Sequence, residues 1–290
     1  MRHILVIRLS AMGDVAMFVP VLQALLTQHP DVKITILTDP FLATIFKDFD
    51  NINIHTIDKR GKHKGVLGLW RLSRELKKES FTEIADIHNV LRSKILRFFC
   101  FDIKAKAIDK GRKEKRELTT GKRFSPLKTT HERYADVFRS LGYTLDITNV
   151  SPLKKRELPK KLELQINEKK SQKMIGIAPF AAHKGKAYDL HQMKKVVAAL
   201  STDYKIFLFG SPQEKSLLEP LIQNKNTIVI AGEFSFDEEL AIISNLDVMI
   251  SMDSGNGHLA AMYGVKVITI WGVTHPYAGF ALFGQPEEFS

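Results

Sequence analysis

Short apolar runs bounded by turn residues recur along the chain, and between them apolar residues return every three or four positions. The first pattern is that of a strand covered on both faces, and the second that of an amphipathic helix. In the first half, strands are predicted at residues 3–9, 32–37, 52–57 and 83–87, and helices at 14–28, 66–78, 90–99 and 131–141, the last closed by Gly142. Residues 145–171 change character, because Pro152, Pro159, six lysines and Arg156 surround one weak strand at 162–166, as in a linker. A second series follows, with strands at 174–179, 204–209, 227–230, 248–251 and 265–271. Helices are predicted between them at 190–200, 213–223 (kinked or shortened by Pro220), 236–244 and 257–263. Two runs of strand–helix alternation imply an α/β fold of two doubly wound parallel-sheet domains, at 1–155 and 165–290, facing each other across a cleft. The chain stops soon after the last strand, so a further C-terminal piece is expected.

Composition narrows the class. Hydrophobic residues at 44% and charged residues at 26% exclude a disordered chain, and no apolar stretch approaches the length of a membrane span. The N-terminus reaches Asp14 without the long apolar core and small-residue cleavage site of a secretory signal, which predicts a cytoplasmic protein. Cys100 stands alone among Phe98, Phe99 and Phe101 and reads as buried apolar filler, with no disulfide and no thiolate metal site available to it.

The net charge of +11 is concentrated, since residues 104–133 hold eleven Lys/Arg against four Asp/Glu. Such a run is either a solvated loop or arm, or a surface for an anionic substrate, an acidic lipid membrane or nucleic acid. Only Phe124 lies within it, too few aromatics for base stacking, so nucleic acid is not expected as a partner.

Several strand ends carry groups capable of chemistry. Asp253-Ser254-Gly255-Asn256-Gly257-His258 follows an apolar strand and opens a helix, which leaves free backbone N–H groups where a diphosphate can sit; a plain turn and cap is the other reading. Arg8-Leu9-Ser10-Ala11-Met12-Gly13-Asp14 ends the first strand, with Asp14 either an N-cap or a general base projecting into the cleft. Asp86-Ile87-His88-Asn89 ends the fourth, with Arg92 one turn into the next helix. His183 to Tyr188 brings Lys184 and Lys186 after another strand, as an anion-binding or merely solvated loop. Glu214, after Gly210-Ser211, either accepts hydrogen bonds from a ribose or favours the start of its own helix. Gly255, Gly257 and Ala260 fit only the relaxed dinucleotide fingerprint, and no acid follows at the distance that a nicotinamide site needs. A nucleophile elbow and a paired-histidine zinc motif are both absent, so neither a serine hydrolase nor a metal or other cofactor is expected.

In order along the chain, 8–14, 86–93, Lys186-Ala187-Tyr188 and 253–261 resemble glycosyltransferase family 9, the bacterial ADP-heptose:lipopolysaccharide heptosyltransferases. The first and last motifs are the specific ones. The resemblance implies a GT-B architecture of two Rossmann-like domains, an N-terminal one for the acceptor and a C-terminal one for the nucleotide sugar. It also implies an inverting, metal-independent transfer of heptose from ADP-heptose to a lipopolysaccharide core or lipid A acceptor. Asp14 matches the base, Lys186 the lysine facing the diphosphate, Glu214 the acid near the ribose, and Asp253, Ser254, Gly255 and His258 the diphosphate motif. Arg8, Ser10, Asp86, His88 and Arg92 fall on the acceptor side. Tyr188 stands where the family usually has tryptophan. A phosphorylated, lipid-embedded acceptor would draw Lys104, Lys106, Arg112, Lys113, Lys115 and Arg116 toward the inner face of the cytoplasmic membrane. Two alternatives stand beside this one: a GT-B enzyme using another nucleotide sugar, and a nonenzymatic module that binds anionic glycolipid.

Overall fold

The computed structural model describes residues 2–166 and 172–289. Its contacts divide the chain into two compact units, one running to Arg123 and resuming over Lys128–Val150, the other formed by Phe124–Leu127 and the chain from Ser151 onward.

The first unit is a five-stranded parallel sheet of β1 (His3–Ile7), β2 (Lys33–Thr38), β3 (Ile52–Thr56), β4 (Glu83–Asp86) and β5 (Lys104–Ala107), in the order β3-β2-β1-β4-β5. Around it lie α1 (Met12–Ala16), α2 (Val19–Gln28), α3 (Gly65–Lys77), α4 (Leu91–Phe99), α5 (Arg112–Thr119) and α6 (Thr130–Leu141). Every residue of β1 is buried, as a central strand with helices on both faces requires. Leu5, Ile7, Leu69, Leu72, Leu76, Leu96 and Cys100 form one core layer. Phe18, Phe46, Tyr134 and Phe138 join through ring contacts elsewhere. Thr129 caps α6 by accepting from the Glu132 N–H at 3.2 Å, and Gly142 ends it at φ 100°, as its sequence predicted.

The second unit repeats the plan with β6 (Met174–Ala178), β7 (Lys205–Leu208), β8 (Thr227–Val229), β9 (Val248–Met252) and β10 (Lys266–Ile270), all parallel in the order β10-β9-β6-β7-β8. Its helices are α7 (Lys160–Ile166), α8 (Leu190–Leu200), α9 (Lys215–Leu218), α10 (Phe236–Ser244) and α11 (Gly255–Met262). In both sheets the first strand is central and the chain winds out first to one side and then to the other. The strand order therefore reverses between β1 and β4 and between β6 and β9, and in such sheets ligands bind at the carboxyl ends beside that reversal.

Three expectations are corrected. The helix expected over 14–28 is two, because Pro20 lacks an N–H and its ring would strike the carbonyl of Ala16, where α1 ends. Residues 160–166 are helical rather than extended: Pro159 accepts from the Leu162 and Glu163 N–H groups at 2.8 and 3.1 Å and starts the turn, and Leu162 is buried. The basic segment is not one loop or arm. It supplies edge strand β5, then turns through Gly111 at φ 60° into α5.

Candidate active site

The four strand ends beside the two reversals carry the residues singled out above, except Glu214, which follows β7. After β1, Arg8 is buried, and its Nη1 donates to the Ile87 carbonyl at 2.9 Å, tying the end of β1 to that of β4. Its Nη2 forms a close ion pair with the Asp14 carboxylate. The Ala11 N–H reaches the same carboxylate only at 3.4 Å, so Asp14 is held chiefly by Arg8 and only weakly as a cap. The Asp14 side chain is 34% exposed against 6% for Arg8, which leaves a carboxylate oxygen open to solvent. Tyr134 is fully buried, donates its hydroxyl to the Asp14 backbone carbonyl at 3.2 Å, and is kept protonated by burial.

After β4, Asp86 is completely buried and accepts from the His88 and Asn89 N–H groups at 3.0 and 2.7 Å. Its other oxygen lies 2.9 Å from Arg97 Nε, close enough for charge attraction although the angle is too poor for a hydrogen bond. Asp86 thus shapes the loop from within. His88 is buried with Nδ1 facing the Leu9 N–H at 3.4 Å. Burial, followed by Arg8 and Lys110, lowers its pKa to about 3, so its ring is neutral at physiological pH. Ser10 and Arg92, in the first turn of α4, are partly exposed near these loops.

Two lysines of the basic segment act on the same site. Lys110 and Lys115 are partly buried, and burial, then the charges of Arg8 and Arg133 respectively, pushes their ammonium groups below the usual lysine range. The Asp14 carboxylate opposes that shift at both. The site therefore has one exposed carboxylate, Asp14, amid several cations, suited to an anionic hydroxyl donor.

In the second unit, Ser254 has extended backbone angles and α11 begins at Gly255, so the N–H groups of 255–257 occupy its first turn. Ser254 Oγ lies 3.0 Å from Ser251 Oγ. His258 is buried within the helix. Asp253, its side chain 7% exposed, accepts from Lys186 Nζ at 2.6 Å and from Thr274 Oγ1 at 2.7 Å. The loop after β10 reaches the loop after β6 through the Val273 N–H, which donates to the Gly185 carbonyl at 3.1 Å, and a side chain at Gly272 would strike that carbonyl. Lys186 is thereby fixed near the start of α11, where an ammonium and helix N–H groups both favour an anion. Glu214 is turned inward on its own loop, accepting from the Ser211 N–H at 2.7 Å and the Ser211 hydroxyl at 2.8 Å in a capping box.

Residues 69–280 match the model of glycosyltransferase family 9 (heptosyltransferase), well over half of the chain. The chain belongs to glycosyltransferase family 9. It is 25% identical, over 296 residues spanning 95% of this chain and 80% of the relative, to the lipopolysaccharide core heptosyltransferase OpsX of Haemophilus influenzae. It superimposes with a TM-score of 0.79 at 21% identity on the crystal structure of the glycosyl transferase family 9 from Veillonella parvula DSM 2008, covering 98% of this chain and 86% of that one. The E. coli ADP-heptose lps heptosyltransferase II gives a TM-score of 0.71 at 17% identity, covering 99% and 89%. These structures establish the fold, which is of the GT-B type. A family 9 chain is a glycosyltransferase enzyme, which sets aside the nonenzymatic glycolipid-binding module.

Within this family 9 chain, the sequence reading missed what four residues do at these sites. Thr274 joins Asp253 from the loop after the last strand, and its only sequence signal was a hydroxyl at a strand end. Tyr134 lies inside a helix and gave none. Lys110 and Lys115 were visible as charge, but nothing along the chain told that they act on Asp14. Among the described residues, no three His, Cys, Asp or Glu side chains group as metal ligands would, and no helix is long and apolar enough to cross a membrane.

Proposed function

We propose that this glycosyltransferase moves a heptose from ADP-heptose to a lipopolysaccharide core or lipid A acceptor, with inversion and without a metal, at the cytoplasmic face of the membrane. The observation that carries the reading is the Lys186–Asp253 pair beside the open first turn of α11, in a chain similar along 95% of its length to a lipopolysaccharide core heptosyltransferase.

In this mechanism an acceptor hydroxyl attacks the anomeric carbon as Asp14 takes its proton, since an un-ionised hydroxyl is a poor nucleophile. The bond from that carbon to the ADP oxygen breaks, and the charge growing on the diphosphate is met by Lys186 and the N–H groups of 255–257. Asp253, whose Oδ2 also accepts from Thr274, holds the lysine in place. Ser254 and Gly255 let the backbone approach the phosphates, and buried His258 packs the helix start. Glu214 keeps the ribose role that the resemblance implies, through Oε1, since both Ser211 bonds fall on Oε2. On the acceptor side, Arg8 orients Asp14, neutral His88 and Ser10 offer hydrogen bonds, Arg92, Lys110 and Lys115 attract acidic groups, and Asp86 maintains their loop.

The deciding experiment is mass spectrometry of truncated lipopolysaccharide incubated with ADP-heptose and the protein. Addition of one heptose mass is expected. Calorimetry with ADP, UDP and GDP is expected to find ADP tightest, and a preference for UDP would replace heptose transfer with another nucleotide-sugar reaction on the same fold.

A further inference from the structure

The first unit leaves an apolar surface open to solvent on two adjacent helices. α3 turns Leu69, Leu72 and Leu76 into the core, and Leu67, Trp70 and Arg74 outward at three- and four-residue spacing, so the latter form one stripe. Beside it, Phe98 in the last turn of α4 is 73% exposed, and Phe101 just beyond is 85% exposed. Among the described residues, six of the fourteen exposed large hydrophobics lie on or next to these two helices. That concentration marks an interaction surface rather than scattered exposure. Trp70, Arg74, Lys77, Lys78, Phe98 and Phe101 line one open groove of about 560 Å³.

Cations are built into the apolar stripe. The Arg74 guanidinium lies 5.8 Å from the Trp70 ring centre and the Lys77 ammonium 5.8 Å from that of Phe101. Lys77 also pairs with Asp102 at 2.6 Å. α3 and the residue that follows it carry Arg71, Arg74, Lys77 and Lys78 against one acid, Glu75. Aromatic rings beside long basic side chains suit the boundary between lipid headgroups and acyl chains, where rings enter the apolar layer and ammonium groups stay wet. A second copy of the chain is disfavoured as occupant, because a two-fold contact would press two basic faces together.

We propose that the α3–α4 face docks on a bilayer surface containing anionic phospholipid. Both helices connect parallel strands, so their first turns lie at the carboxyl edge of the sheet, where Arg8 and His88 stand. Exposed Leu67 and Leu91 occupy those first turns, and Phe98 the last turn of α4. A membrane along this flank therefore meets the edge of the sheet that carries Asp14, which suits a lipid-anchored acceptor. That fit to the acceptor rests on the proposed function; the docking surface itself does not. The basic segment indicated by sequence is a weaker candidate. No residue of α5 is buried, it carries no large exposed apolar residue, and Phe124 packs against His275 and Tyr277.

The test is flotation of the full chain with phosphatidylcholine vesicles and with phosphatidylcholine–phosphatidylglycerol vesicles. Wild type is expected to float with the anionic vesicles alone. F98S/F101S is expected to lose about tenfold or more in partitioning, as removal of two rings that enter the bilayer implies, and R74Q/K78Q about tenfold, from two cations lost. K113Q/R116Q on α5 is expected to float as wild type does. Phe98 and Phe101 are exposed, so their variants are expected to keep the wild-type melting temperature, and partitioning is compared only after that is checked. No flotation of wild type, equal flotation with neutral vesicles, or loss in K113Q/R116Q with retention in F98S/F101S overturns the proposal. So does binding of a single-stranded oligonucleotide that F98S/F101S abolishes. Transfer to a delipidated acceptor is measured alongside: absent transfer with normal flotation refutes the proposed function and leaves the docking face standing.

Discussion

Asp14→Asn is the sharpest test of the first unit, because it keeps shape and removes charge. In its proposed role as general base Asp14 supplies a factor of about 10²–10⁴ in transfer rate. Asparagine retains an oxygen for the Ala11 N–H but cannot take a proton, so kcat is expected to fall by about that factor. A stability cost accompanies it, since Arg8 is left buried with its main counterion gone. Breaking a fully buried pair costs about 3–5 kcal/mol. The Asp14 side chain is 34% exposed, so water screens the pair and already reaches one side of it, which reduces the cost to about 1–2 kcal/mol. For a unit of this size that lowers the melting temperature by about 3–6 °C. Calorimetry is expected to show ADP affinity unchanged, because Lys186 and Asp253 belong to the other unit. The assay is heptose transfer by mass spectrometry at saturating donor, run below the melting temperature of the variant. A rate within tenfold of wild type refutes Asp14 as the base. A collapse of ADP affinity refutes the division of labour between the units.

Lys186→Met is expected to weaken ADP by about tenfold or more, as loss of a charge-assisted contact to phosphate implies, and calorimetry that finds wild-type affinity would remove Lys186 from the donor site. The neutral state of His88 sets a pH dependence. Its folded pKa of about 3 lies below the ordinary 6.5, so the unfolded chain takes up the proton first, and stability present above pH 6.5 declines as pH falls toward 3. The loss is about 2 kcal/mol by about pH 5, and urea unfolding of His88→Asn is expected to show a shallower decline on the acid side; an identical decline refutes it. Glu239 has the opposite sign. Burial raises its carboxyl to about 7, so folding is penalised as pH rises from 4.5 through 7, and Glu239→Gln is expected to stabilise by about 1–2 kcal/mol near pH 8 and not near pH 4. Equal effects at the two pH values would show that Glu239 is not buried in this way.

Much of this architecture is written locally, and what is not depends on partners distant in sequence. β1, β2, β6 and β9 were legible because a strand covered on both faces must be apolar along its length. β5 was not, because an edge strand pairs on one side only and Lys104 and Lys106 are what such an edge tolerates. Residues 160–166 carry alternating Leu162, Leu164 and Ile166 and so mimic a strand, yet the turn started at Pro159 makes them a helix. The strand ends at Asp14, Asp86, Lys186 and Asp253 were legible as polar groups closing apolar runs. The bond from Tyr134 to Asp14 spans 120 residues and that from Thr274 to Asp253 spans 21, and only strand order brings such residues together. Glu214 shows the converse: Ser211 and Glu214 have the spacing of a capping box, and the structure holds Glu214 in that local role.

The two units solve one problem twice with different outcomes, and the difference supports the proposed division of roles. Each sheet ends a strand beside its reversal with a cation–carboxylate pair, Arg8–Asp14 in the first and Lys186–Asp253 in the second. In the first pair the cation is the buried member, 6% exposed, and the carboxylate is 34% exposed; in the second the carboxylate is buried, at 7%, and the lysine is 19% exposed. A group that takes a proton from substrate must be reachable, and a group that orients another is best enclosed. The open carboxylate of Asp14 therefore suits proton transfer, whereas Asp253, mostly buried with Oδ2 bound by both Lys186 and Thr274, suits holding an ammonium toward the start of α11. Exchanging the roles fits less well on the same grounds: the Asp253 side chain is only 7% exposed, and Arg8 is too enclosed to receive a diphosphate. Asp253→Asn should then lower donor affinity through a loosened Lys186 while leaving residual transfer at high donor concentration, a KM effect. Asp14→Asn should lower kcat with donor KM unchanged. Matching defects in the two variants would refute the distinction.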